Sequence, residues 1–281
     1  MKRLLYALPL LAFALALPRA AAAERIERVF PAGEDVTIEF RNLHGQVTLQ
    51  SWTRPQVQVI ALRRSQAVET HIEQGENRIH VHTHLLQSSA PAGERAVDYE
   101  IWAPPSARLH LYQETGTLRV ESFFRDVTVE TVAATVYLRN VNGHTSVKTL
   151  NGSVTAERCT GRLDAASISG TLRFLDTDTE RLVANTTSGD IYYQGDFQRG
   201  GSYDFINHEG LIELLLPATA SFELDARSVQ GEVVNELPLR PRSHGRVPQG
   251  SVMKSLLGTV HTGAALVRAT SFSGTIRLRK Q

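Results

Sequence analysis

Four histidines, His71, His80, His82 and His84, crowd one short stretch of this chain. Imidazoles repeated at every second position of a strand leave on one side, where they could hold zinc or copper. Val68, Thr70 and Ile72, then Ile79, Val81 and Thr83, alternate with them across a polar turn at Gln74, Gly75, Glu76 and Asn77. The pattern predicts a hairpin with its apolar side inward and its histidines outward. With Gly75 and Glu76 as a two-residue loop, His71 would lie opposite His80. No spacing fixes an acidic or thiolate fourth ligand, so the same residues also describe a plain polar face.

A second cluster, Arg240, Arg242, His244 and Arg246, stands among Pro238, Pro241 and Pro248. Such a loop could dock an anionic glycan or a phospholipid head group, or simply be a solvated excursion. Asp176, Asp178 and Asp190 flank successive short strands and are the nearest approach to an acid–base set; turn carboxylates that bond to backbone amides leave the same trace. Cys159, the only cysteine, has no partner for a disulfide and reads as a small space-filler. Trp52 and Trp102 each lie near a proline, where they could stack on a sugar ring or cover the end of a strand. The chain has no Gly-x-Ser-x-Gly elbow, His-Glu-x-x-His helix or phosphate loop. Its repeats lack the ordered acidic residue that calcium-binding nonapeptides use. These absences point to a chain that is not an enzyme and uses no cofactor.

The elements that would position these groups are set by a nine-residue beat. Pairs of residues two apart, apolar except for Thr145, begin at Leu109, Leu118, Val127, Val136, Thr145, Val154, Leu163 and Leu172. Gly116, Gly143, Gly152, Gly161 and Gly170 mark gaps between them, and Gly189, Gly210 and Gly231 continue the series at steps of 21. Ile38 to Leu49 around Gly45, and Val267 to Leu278 around Gly274, follow the same template. Short strands at a fixed repeat, each with one apolar side, cannot bury that side alone and must stack. The prediction is an all-β fold, a β-solenoid of roughly 18–21 residues per coil, with a β-hairpin insertion near its N-terminal end. That insertion spans about 63–96, and a Pro-rich basic loop spans about 235–258. An antiparallel meander has the same beat and is the competing architecture.

The chain of 281 residues is 42% apolar, enough for a sizeable core, and its formal charge of +1 excludes nucleic-acid capture as a main purpose. Lys2 and Arg3, an apolar run from Leu4 to Leu17, and Ala21 to Ala23 have the order of a secretory signal. Residues 1–23 are therefore read as a signal peptide and 24–281 as a single domain, with no transmembrane segment after cleavage.

Asn42-Leu43-His44-Gly45-Gln46-Val47 with Trp52, the units Ser188-Gly189-Asp190-Ile191 and Ser273-Gly274-Thr275-Ile276, and Leu216 to Leu224 followed by Val229-Gln230-Gly231 together resemble the bacterial "putative adhesin" domain family of unknown function. The resemblance covers roughly residues 26 to 280. It implies an exported β-solenoid of the periplasm, cell envelope or exterior, with an adhesive or scaffolding role toward an envelope polymer or a surface protein. It supplies no catalytic residues. An envelope polysaccharide-acting enzyme, or an accessory protein of envelope signalling, are the rival readings.

Overall fold

The computed structural model describes residues 23–33, 35–241 and 252–281, and every regular element among them is a β-strand. Of the expected signal segment, residues 1–23, all but the last residue lie outside the described residues. The N-terminal part carries β1 (Glu24–Pro31), β2 (Thr37–Asn42), β3 (Gln46–Ser51), β4 (Gln56–Arg63), β5 (Val68–Gly75), β6 (Arg78–Leu85) and β7 (Val97–Ala103). The middle carries β8 (Arg108–Glu121), β9 (Val127–Arg139), β10 (Asn142–Thr149), β11 (Val154–Glu157), β12 (Thr160–Ser167), β13 (Leu172–Leu175), β14 (Asp178–Thr186), β15 (Ile191–Gln194), β16 (Ser202–Asn207) and β17 (Leu211–Leu216). The C-terminal part carries β18 (Phe222–Ser228), β19 (Val233–Asn235), β20 (Leu239–Pro241), β21 (Val252–Met253), β22 (Ser255–Val260), β23 (Ala265–Ser271) and β24 (Thr275–Lys280).

Each coil of the middle crosses two faces of one continuous sheet, a first and a second sheet below, as two short strands or, in β8 and β9, as one long strand through both, and consecutive coils pair in parallel. On the first sheet Leu109, Val127, Thr145, Leu163, Leu182 and Tyr203 stand over one another, and on the second Leu118, Val136, Val154, Leu172, Ile191 and Ile212 do so. Parallel pairing removes the antiparallel meander. All of these residues are buried, and together they form one continuous spine between the sheets. The alternation in sequence therefore becomes an inside and an outside, as a period of two requires. Leu224, from the C-terminal part, is buried with them.

Spatial order departs from chain order at both ends. The steady 21-residue spacing predicts that Gly231 sits over Gly210. Instead β23 and β24 slide between, pairing with β16 and β17 on one side and with β18 and β19 on the other. The final residues are thus an interior coil. At the other end β2 and β3 lie between β8 and the outermost coil, β6 and β7. The expected hairpin exists as β5 and β6, but β6 is a rung of the stack in parallel register with β2, so 63–96 is only partly an insertion.

Neither outermost coil is bare. At the N-terminal end β5 lies antiparallel on β6 and β4 on β7, with β1 beyond β4. At the C-terminal end β22 lies antiparallel on β18 and β21 on β19, with β20 beyond β22. The segment expected as a solvated loop therefore contributes part of this cover, with Leu237 and Leu239 buried; residues 242–251 lie outside the described residues.

One corner of each coil is held by close backbone approach. A Cβ added to Gly170 would come within 1.8 Å of the Gly152 carbonyl oxygen, and one added to Gly189 within 2.1 Å of the Gly170 oxygen. The contact repeats through Gly274 onto Gly210 and Gly231 onto Gly274. Three residues before most of these glycines a buried hydroxyl accepts the glycine N–H: Thr149 at 2.8 Å, Ser167 at 2.7 Å, Thr186 at 3.1 Å, Ser271 at 2.8 Å and Ser228 at 3.0 Å. Where the residue three earlier is an amide, as at Asn42, Gln113 and Asn207, the glycine instead adopts a φ of 128°, 105° or 105°. The hydroxyl and the left-handed backbone are two solutions to one tight turn.

Two substitution pairs test this corner. Gly189→Val should cost about 3 kcal/mol or more by forcing the coils apart, whereas Tyr192→Phe on the outer face should stay within about 0.5 kcal/mol; equal melting temperatures would refute the close approach. Ser167→Ala should cost about 1–3 kcal/mol by leaving a buried amide without an acceptor. The identical change at exposed Ser169, two residues along, should cost clearly less in the same denaturation experiment.

Candidate binding surface

Stacking in register turns residues one coil apart in sequence into neighbours about 4.8 Å apart across the strands. On the outer face of the second sheet this makes a row of Arg119, Tyr137, Thr155, Arg173, Tyr192 and Glu213, continued by Arg277. The Arg119 guanidinium lies 4.4 Å from the centre of the Tyr137 ring and that of Arg173 lies 5.2 Å from Tyr192. Arg277 approaches Glu213 at 3.6 Å. A parallel row sets Arg139 between Glu121 and Glu157, at 3.5 and 3.9 Å. Each exposed pair is worth little to stability, but together they flatten long side chains against the sheet. The result is a face on which guanidinium and phenol groups stand beside one another, with Thr155 and the carboxylates of Glu121, Glu157 and Glu213 among them.

The first sheet carries a shallow groove of about 720 Å³ near its N-terminal end, with Glu39, Arg41, His82, His110, Tyr112 and Glu130 among its lining. Three strands far apart in sequence, β6, β2 and β8, supply most of it. Arg41 stacks 4.6 Å from the Tyr112 ring, and Glu39 receives Arg78 at 2.6 Å and His80 at 3.1 Å. Partial burial, then the charges of His80 and His84, hold the His82 imidazole below its ordinary pKa. No local signal marks Glu39, Arg41, His110 or Tyr112 for this groove. His110 and Tyr112 do alternate with buried Leu109 and Leu111, which marks them as outward but not as neighbours of β6.

The structure places His71, His80, His82 and His84 together on the outer side of the β5–β6 hairpin, as their alternation predicts. The register differs from expectation: the loop is Glu76 and Asn77, with Glu76 at a φ of 52°, so His71 faces His82 and Glu73 faces His80. The left-handed turn residue is Glu76 rather than the glycine beside it. Arg240 donates to the His261 carbonyl oxygen, while Arg242 and Arg246 lie outside the described residues.

The three aspartates are not brought together. Asp176 occupies the second corner, at a φ of 49°, in the place that Ser122, Asn140 and Arg158 hold in preceding coils. Asp178 begins β14, whereas Asp190 lies at the glycine corner, where one oxygen accepts the Leu211 N–H at 2.8 Å and the other the Tyr192 hydroxyl at 3.3 Å. Cys159 follows the second corner inward, and its burial pushes the thiol up to about 11, which suits the packing role that its sequence suggests. Trp52 and Trp102 pack on each other at 5.9 Å, with the Trp52 indole N–H donating to the Gln56 carbonyl oxygen at 2.7 Å.

No helix among the described residues is long and apolar enough to cross a membrane. No curated protein matches the sequence. Among solved structures, that of a "putative cell adhesion protein" from Clostridium sporogenes is similar over 92% of this chain and 100% of its own, with 10% identity and a TM-score of 0.29. The family described as Toastrack DUF4097 matches residues 36–279, nearly the whole of the stacked coils, and the chain belongs to that family.

Proposed function

We propose that this protein is an exported binding module of the cell envelope that presents its outer sheet faces to an extended partner, a surface polymer or another protein, in an adhesive or scaffolding role. The observation that carries the reading is the row from Arg119 through Tyr192 to Arg277 on the second sheet. Guanidinium and phenol groups stack on and hydrogen-bond to polar chains, and a row with a fixed pitch offers the same contact repeatedly. Such a surface suits a long ligand that gains from many weak contacts, whereas a small substrate needs an enclosing pocket with converging polar groups. The order Lys2, Arg3, Leu4–Leu17 and Ala21–Ala23 supports export.

Purified chain probed against arrays of envelope polysaccharides and envelope proteins should capture at least one class of extended ligand. The double variant Tyr137→Ala with Arg173→Ala should weaken that capture by at least about tenfold, the loss of roughly two side-chain contacts, with little change in melting temperature. Unchanged affinity in this variant, or no capture from either array, would overturn the assignment.

A further inference from the structure

The outer side of the β5–β6 hairpin holds more ligating side chains than the sequence pattern alone places there. Antiparallel register sets Glu69 opposite His84 and His71 opposite His82, forming a two-by-two block of three imidazoles and one carboxylate. His71 Nε2 already lies 3.2 Å from Glu69 Oε2, and the two side chains are about half exposed, at 47% and 49%. The His71 and His84 rings stand 4.9 Å apart between centroids and the His82 and His84 rings 6.2 Å. Two imidazoles sharing a tetrahedral zinc at about 2.0–2.1 Å per bond have centroids about 5 Å apart. One pair is already at that separation and the other is about 1 Å beyond it. Among the described residues no three such donors meet at one point. Closing the set requires rotation of exposed side chains over a backbone that already places all four on one face.

We propose that Glu69, His71, His82 and His84 form a binding site for a divalent transition-metal ion. Three nitrogens and one oxygen favour zinc, copper or nickel over calcium or magnesium, which prefer oxygen alone. His80, the fourth histidine of the sequence cluster, has its ring 6.1 Å from that of His82 but is left out because its Nδ1 is already paired with Glu39 of the neighbouring strand at 3.1 Å. The ion would bridge β5 to β6. Because β5 pairs with no strand other than β6 and forms the edge of the first sheet, such a bridge fastens the cover of the N-terminal coil. Binding to the folded state alone also raises its stability by mass action.

Isothermal titration of the full chain with zinc sulfate tests the site. One zinc per chain is expected to bind saturably and to raise the melting temperature. His71→Ala with His84→Ala should weaken binding by at least about a hundredfold, and Glu69→Gln by about tenfold. His80→Ala and His144→Ala should stay within about threefold of the unchanged chain, since neither belongs to the block. Circular dichroism on each variant confirms that the fold persists, as expected for outward side chains. Absence of saturable binding, undiminished affinity in the double variant, or an equal loss in His144→Ala would each overturn the assignment. Binding to envelope arrays is a separate readout, so the zinc site and the polymer surface fail or stand independently.

Discussion

The stack depends on how closely one coil's backbone can approach the next at a single corner. Apart from Ala134, which stands over Gly116 where β8 and β9 run on unbroken, these corner positions are glycines, and the carbonyl oxygen of one coil occupies the space where the following coil's glycine would carry a Cβ. A larger residue there would lift the coil and break the parallel ladder on both sheets together, because both strands of the coil hang from that turn. The buried hydroxyl three residues earlier completes the device by giving the glycine N–H an acceptor where water is excluded. At Asn207 both polar side-chain atoms lack a partner among the described residues, and Gly210 turns through a positive φ instead. That corner is also where the chain stops following its own order, since the next coil in space comes from the C-terminus.

Insertion of terminal segments as interior coils changes what holds the ends. A strand at the end of a simple stack is buried from one side and leaves a row of unpaired N–H and C=O groups. Here β2, β3, β23 and β24 gain ladders on both sides, and the coils left outermost are closed by antiparallel strands from the same chain. Three of the edge strands carry charge or proline: Glu24, Arg25, Glu27 and Arg28 in β1, Glu69 and Glu73 in β5, Pro241 in β20; the fourth, β21, is only two residues long. Charged and proline-bearing edges resist pairing with a second molecule.

Much of this fold is legible in the sequence because a two-residue alternation and a recurring glycine are local signals. The nine-residue beat from Leu109 to Leu172 gives the strands, their inward residues and the coil length directly. Register across long gaps is not local, which is why in the sequence Gly231 follows Gly210 and β6 reads as an insertion rather than a rung. Nothing near Leu109 in the chain states that Ile38, rather than Ile79, will lie beside it. The hydroxyl before each glycine was within reach of the same reading. Thr149, Ser167, Thr186, Ser228 and Ser271 keep a constant offset from their glycines, but small polar residues near a turn look like ordinary turn chemistry. The histidine face was legible from alternation, and only its pairing moved when the turn fell at Glu76.

The inner and outer surfaces answer to different rules, and this difference locates where function can vary. Inward positions are fixed by parity and by the fixed spacing of the coils, so apart from Thr145, Cys159 and the buried hydroxyls and amides near the corners they hold Val, Leu, Ile, Ala and aromatic residues. Outward positions are constrained only by their neighbours in the same row. In the middle coils those neighbours lie one repeat apart, and on the second sheet one such row sets arginine, tyrosine and glutamate beside one another, interrupted by Thr155. At the N-terminal end the neighbours come from β5, β6, β2 and β8, separate stretches of chain in which a residue can change without displacing a repeat. The groove of Arg41 and Tyr112 and the histidine block both lie at this end, one of the two whose order is shuffled, while the regular middle supplies length.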